Sequence, residues 1–226
     1  MANSAGILIF GATRGTGLEV AKILRAKGEA VTALVRPSAD PAELEALGVS
    51  VVTGDAMEAD SVAAAFASGD FRAAIVSLAR KRSEQGPRPD GVGAHNVADA
   101  AGSVHVLMIS GIGAGDSQSA VAPKVLEVLG EVMAIKGEAE DYLMQSGVPA
   151  TVLRPGGMTH DPASGTAIKT DDHTVMGVIN RADLAQLTVD CIDDPDTIGK
   201  IYHTVDPKIT WKAPLERGED LPPAKD

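Results

Sequence analysis

The chain has 226 residues, 44% of them apolar and 23% charged, with a formal net charge of −11. That is the composition of one globular domain with a sizeable core. So acidic a balance argues against a nucleic-acid groove or an anionic membrane surface as main partner, and 3% aromatics offer no platform for stacking bases. The single cysteine, Cys191, leaves no internal disulfide and fits a reduced, cytoplasmic compartment. The N-terminal apolar run is too short for a signal peptide or a membrane span and reads as a strand.

In chain order, strand-like apolar runs fall at 6–10, 30–35, 49–53, 73–78, 104–110, 150–154 and 200–205. Helix-like segments lie at 16–27, 41–47, 58–68, 91–101, 124–146 and 181–193. Strands apolar on both faces and separated by helices predict a parallel sheet covered on both sides. The expected fold is α/β: a Rossmann-type doubly wound parallel sheet, a single domain over 1–226 with a small C-terminal elaboration. Residues 157–180 read as substrate-side loops with short elements, and 206–226 as an irregular tail rich in proline and charge.

The first strand runs directly into "GATRGTG" (11–17) and then a helix. Gly11, Gly15 and Gly17 let the chain turn tightly, bring backbone N–H groups close to a pyrophosphate and allow the helix to pack on the strand. The helix N-terminus adds partial positive charge. A dinucleotide site that favours NAD ends its second strand in Asp or Glu, which holds the ribose 2′-OH. Here Arg36 occupies that place, and Arg14 stands inside the loop. Two guanidinium groups suit a 2′-phosphate, which points to NADP(H); the competing reading is two solvated surface arginines. Asp55, after the third strand, is placed to accept from an adenine amino group, or to cap the next helix, or both. The second glycine cluster, "SGIGAGDS" (110–117), reads as a mobile loop over the ligand site.

"GATRGTG", "LVRP", "GDAMEADSV", "LMISGIGAG", "KGEAEDYLMQSGVPATVLRPGGM" and "INRADLAQLTVDCIDDP" together resemble the atypical short-chain dehydrogenase/reductases with NAD(P)-binding, NmrA-like domains, nearest in size to the biliverdin-IXβ/flavin reductase subgroup. The resemblance covers about 6–205. It implies cofactor contacts from the whole loop, including Thr13 and Thr16, and from Ala56 beside Asp55. It also implies that Ser77, Leu78 and Ala79 run past the ribose and nicotinamide, that Lys136 meets the nicotinamide ribose, and that Pro155 and Gly156 lie beside the ring. Ser110 maps to the reaction centre, where a hydroxyl can orient a carbonyl or the nicotinamide amide. Each has a plainer reading: Ser110 as a turn cap, Lys136 as a helix-surface lysine pairing with Glu140 at i+4, and Asn96 as a structural residue. One departure is Arg14, where the atypical group more often has glycine.

Carbonyl reduction in the core short-chain enzymes uses Tyr-x-x-x-Lys, but Val132 stands four residues before Lys136. Tyr142 lies about 240° around the helix from Lys136, and Tyr202 is on a late strand. A ketone reductase would lack its proton donor. A flavin, quinone or similar conjugated acceptor accepts hydride and takes its proton from water, so proximity and orientation suffice. The expected function is therefore NADPH-dependent hydride transfer to such an acceptor. The alternatives are an NADP(H)-holding redox sensor without turnover and a carbonyl reductase with another acid, such as Ser110. Arg80, Lys81, Arg82 and Arg88 form a basic island that either attracts an acidic acceptor or is simply solvated. The histidines show no metal-ligand spacing, no G-x-S-x-G is present, and Cys191 reads as a small buried apolar residue. Oligomeric state is silent in the sequence.

Overall fold

The computed structural model describes residues 5–80 and 86–209. Its first strand, β1 (Gly6–Phe10), is the pivot of the architecture. Ile7 and Ile9 face one side of the sheet and Leu8 and Phe10 the other, and all four are fully buried. Such a strand needs cover on both faces, and both are covered. One face carries α1 (Gly15–Ala26), α2 (Ala42–Ala46) and α6 (Arg181–Asp190), through Val20, Leu24, Leu44 and Leu184. The other carries α3 (Ala59–Ala67), α4 (Val92–Ala100) and α5 (Pro123–Gln145), through Val62, Val97 and Leu143.

The remaining strands of the main sheet are β2 (Val31–Val35), β3 (Ser50–Thr53), β4 (Phe71–Val76), β5 (His105–Ile109), β6 (Ala150–Pro155), β8 (Ile168–Thr170) and β10 (Lys200–Val205). The order is β3-β2-β1-β4-β5-β6-β10-β8, parallel throughout except for β8, which runs antiparallel against β10. β1 pairs with both β2 and β4, so the chain reverses its direction of travel across the sheet there. Ligands of open α/β sheets bind at that switch point, outside the carboxyl ends of the strands. The expected doubly wound, Rossmann-like sheet is present as a single domain.

Where the elements differ from expectation, packing explains it. β4 begins at Phe71 rather than 73 because Arg72, which breaks the apolar run, spends its charge on partners: Glu29 at 3.0 Å, Asp193 at 3.0 Å and the Ala5 carbonyl at 2.7 Å. Cys191 caps α6 from just beyond its end. The segment 157–180 contains three short strands: β8 on the sheet edge, and β7 (Gly157–Thr159) paired in parallel with β9 (Val178–Asn180). Residues 206–209 are described; the rest of the expected tail lies outside the described residues, as do Lys81 and Arg82.

Candidate functional site

The site is built from the carboxyl ends of β1, β2, β4, β5 and β6. At the end of β1, Gly11 has φ +88°, and a Cβ there would stand 2.3 Å from the Ser77 carbonyl oxygen. Gly17 is as tightly held: its Cβ would stand 2.2 Å from the Gly11 carbonyl oxygen. These two glycines let strand, loop and helix meet. Gly15 differs. It has φ +59°, and the nearest atom to its absent Cβ is Arg181 Nε at 3.8 Å, so its outer face is open. No side chain caps the N-terminus of α1, and its first turn carries no acid. Thr13 and Arg14 flank this opening, and buried Thr16 turns inward toward Met158.

Arg14 and Arg36 are exposed, and neither guanidinium has a side-chain partner among the described residues. Asp55 does not cap α3: Glu58 takes that position, while Asp55 Oδ1 accepts from the Met57 N–H at 3.0 Å in a turn. Ala56 beside it is buried, and its carbonyl accepts from Asn96 Nδ2 at 2.9 Å, which gives Asn96 a structural role. Ser77, Leu78 and Ala79 continue past the end of β4; the Ser77 N–H still reaches the Phe10 carbonyl at 2.9 Å.

Of the basic residues after β4, Arg88 is folded inward. Arg88 Nη2 donates to the Arg80 carbonyl at 3.0 Å and stands 3.1 Å from Asp90 Oδ2. Lys136 Nζ stands 3.1 Å from Asp90 Oδ1. The pairing is coulombic rather than aligned hydrogen bonding, since neither Asp90 oxygen meets hydrogen-bond geometry. Lys136 is therefore not paired with Glu140. It is buried and held by an aspartate from the α4 side that sequence reasoning missed, because 46 residues separate the two.

Ser110, directly after β5, is buried, and its Oγ has no partner among the described residues. The glycine cluster behind it, expected to be a mobile loop, forms a short 3-10 turn (Gly115–Ala120) that is fastened from below. Ser117 Oγ accepts from the Gly113 N–H at 2.9 Å and donates to the Ala114 carbonyl at 2.7 Å. Arg154 binds Glu140 Oε2 at 2.6 Å and Asp116 Oδ1 at 2.5 Å, with only 2% of its side chain exposed. Asp116 then accepts from or pairs with His173 Nδ1 at 2.8 Å, tying the turn to the substrate-side segment. Burial alone would raise the Asp116 pKa; the Arg154 and His173 hydrogen bonds outweigh it and hold the carboxyl at about 2. For His173, burial pulls downward and Asp116 wins, leaving the imidazole raised. His203 stacks on it with ring centroids 4.9 Å apart, and burial pushes His203 down.

Pro155 and Gly156 sit where β6 meets the small sheet. A Cβ on Gly156 would lie 2.1 Å from the Gly177 carbonyl oxygen, so the glycine admits that strand. Tyr142 is directed to the far side of α5, where it donates to Asp99 at 2.6 Å and stacks on His95. Tyr202 lies under Lys169 on β10. Burial pushes the Cys191 thiol up against the opposing effect of Lys169, so it is an inert core residue. Among the described residues no group of three or more His, Cys, Asp or Glu stands ready for a metal ion.

The residues fit a nicotinamide dinucleotide on two counts: the open face of Gly15 before an uncapped helix start, and the partnerless Ser110 hydroxyl at the end of β5. Fold and site together define a nucleotide-binding α/β protein. Residues 11–195 match the model of the NAD(P)H-binding family, and the chain belongs to it. It is 25% identical, over 95% of this chain and 80% of the relative, to an uncharacterised chloroplastic protein of Arabidopsis thaliana. It is 30% identical to the NAD(P)H azoreductase of Xenophilus azovorans over 66% of this chain and 47% of that one. Among solved structures, the anaerobilin reductase ChuY of Escherichia coli O157:H7 superposes with a TM-score of 0.80 at 26% identity, covering 92% of this chain and all of that one.

Proposed function

We propose that the protein is an NADPH-dependent oxidoreductase that reduces a conjugated small-molecule acceptor: a flavin, a quinone, a linear tetrapyrrole or an azo compound. The observation that carries this reading is how the ionisable groups around the site are spent. Lys136 is committed to Asp90, Val132 stands where a phenol would be, and Tyr142 is turned to Asp99. Ser110, a poor acid at the end of β5, keeps a hydroxyl with no partner among the described residues. Such a centre can position reactants but has little to give a ketone oxygen. The names of the azoreductase and anaerobilin reductase relatives agree with an extended acceptor.

On this reading NADPH supplies the hydride, and the protein supplies its placement. The loop residues Gly11, Thr13, Arg14, Gly15, Thr16 and Gly17 hold the pyrophosphate. Arg14 and Arg36 grip the 2′-phosphate, and Asp55 with Ala56 borders the adenine. Ser77, Leu78 and Ala79 line the path to the nicotinamide, Lys136 holds its ribose, and Pro155 with Gly156 backs the ring. Ser110 orients the carboxamide or the acceptor.

The test is to follow the nicotinamide absorbance of NADPH with FMN, menadione, biliverdin, an azo dye and a panel of simple ketones. Turnover with one or more of the conjugated acceptors and none with the ketones is expected. Ketone reduction at comparable rates would refute the reading, and tight NADPH binding with no acceptor turned over would replace it with a redox sensor.

A further inference from the structure

Arg181 is the most anomalous cation in the described structure. It is the first residue of α6, where the helix presents its positive end and a cation is disfavoured. It is half-buried, and burial pulls its pKa down with no carboxylate pulling the other way. Its one hydrogen bond among the described residues is donated by Nη1 to the Thr159 carbonyl at 3.2 Å. None of the carboxylates bordering the same cleft of about 460 Å³ pulls the Arg181 pKa back up. Lys22 bridges Glu19 at 3.1 Å and Glu43 at 3.2 Å. Asp161, which also borders the cleft, makes no ion pair with Arg181. A guanidinium stays protonated even when desolvated, so this charge lacks a counter-ion.

Its position says what the counter-ion is. Arg181 Nε stands 3.8 Å from where a Cβ on Gly15 would be, over the open face of the loop. The uncapped, acid-free start of α1 faces the same space, with Arg14 as its N-cap residue. Two helix starts thus converge on one opening, and each carries an arginine that its own helix dipole disfavours. A doubly charged diphosphate relieves both, and the planar fork matches its oxygens.

We propose that Arg181 reaches across from α6 and binds the pyrophosphate of the nucleotide from the side opposite the glycine loop. The inference rests on the dinucleotide reading above and adds a ligand from the last helix of the fold. The cost of its desolvation in the free protein is recovered on binding.

Dissociation constants of NADPH, NADH, ADP-ribose (pyrophosphate without 2′-phosphate) and 2′-AMP (2′-phosphate without pyrophosphate) are to be measured by calorimetry on the wild type, Arg181→Ala and Arg181→Lys. Arg181→Ala is expected to weaken NADPH and ADP-ribose by tenfold or more and to leave 2′-AMP within twofold. Arg181→Lys should recover only part of the loss, since it restores charge without the fork. The melting temperature of the free Arg181→Ala protein should equal or exceed that of the wild type, whereas the rise given by NADPH should shrink. A lower melting temperature of the free variant with unchanged NADPH affinity would overturn the inference and make Arg181 a structural residue. Tighter binding of NADH than NADPH by the wild type would overturn the choice of cofactor alone, and a tenfold loss of ADP-ribose affinity would still support the role of Arg181. A wild type that binds neither NADPH nor ADP-ribose overturns both.

Discussion

Glu140→Ala tests the ion pair beneath the site. Glu140 is 1% exposed and Arg154 2%, and they share three contacts between 2.6 and 3.2 Å. Burying two charges is costly, so the intact pair contributes little net stability. Removing one partner is another matter: it leaves Arg154 dry, with only Asp116 beside it, and Asp116 is 67% exposed and strongly solvated. The expected loss is about 3–5 kcal/mol, a large share of a total stability on the order of 5–15 kcal/mol. At roughly 2–4 °C per kcal/mol for a domain of this size, the melting temperature should fall by about 6–20 °C. The paired change Glu140→Leu with Arg154→Met removes both charges and keeps most of the volume, and it should recover most of that loss. Thermal and urea unfolding of the three proteins gives the answer. A single variant within about 1 kcal/mol of the wild type, or a double variant no more stable than Glu140→Ala, would refute the argument.

Arg36→Ala should weaken NADPH about tenfold, the scale of a lost charge-assisted contact, and leave NADH nearly unchanged; paired titrations check this. The Asp116–His173 bridge should give a stability plateau with two shoulders. Arg154 and His173 hold the Asp116 carboxyl at about 2 against an ordinary 3.8, so its contribution is complete above 3.8 and fades as pH falls toward 2. The His173 pKa is raised above 6.5, so its contribution is complete below that value and fades as pH rises through the folded value. Because Asp116 is mostly exposed, the acid shoulder should stay under about 1 kcal/mol; melting across pH with His173→Gln, which should flatten the alkaline shoulder, tests it. Gly17→Ala gains about 1 kcal/mol of helix propensity but drives a Cβ to 2.2 Å from the Gly11 carbonyl oxygen. Both colliding atoms belong to fixed backbone, so overpacking wins and the melting temperature should fall.

The order of strands and helices was legible because it is written locally. Ile7 to Phe10 are apolar on both faces, and the helices between strands carry the matching period. Arg72 concealed the start of β4, since a charged residue reads as a break until its partners are seen. β7, β8 and β9 are three residues each, too short for any period to register. At the site, the glycine loop was legible because backbone demands appear as glycines in sequence. The partners of Lys136 were not. Glu140 stands at the favourable i+4 spacing, yet Arg154 claims it and Asp90 takes the lysine, and only tertiary packing decides between them. Arg181 offered one faint signal, an arginine at the first position of an expected helix. Its nearness to Gly15 comes from the packing of α6 on α1, which no local pattern records.

The margins of the main sheet carry a consequence for solubility. On one side the outermost ladder is the four-residue β3, with exposed Ser50 and Thr53; on the other it is the three-residue β8, with Lys169 at its centre bridged to Asp194 at 3.3 Å. Stubby, polar or charged borders give a neighbouring chain little main-chain template to extend. A protein whose inner strands are so uniformly greasy is thereby guarded against fibrous stacking at high concentration, and its crowded interior stays private to one molecule.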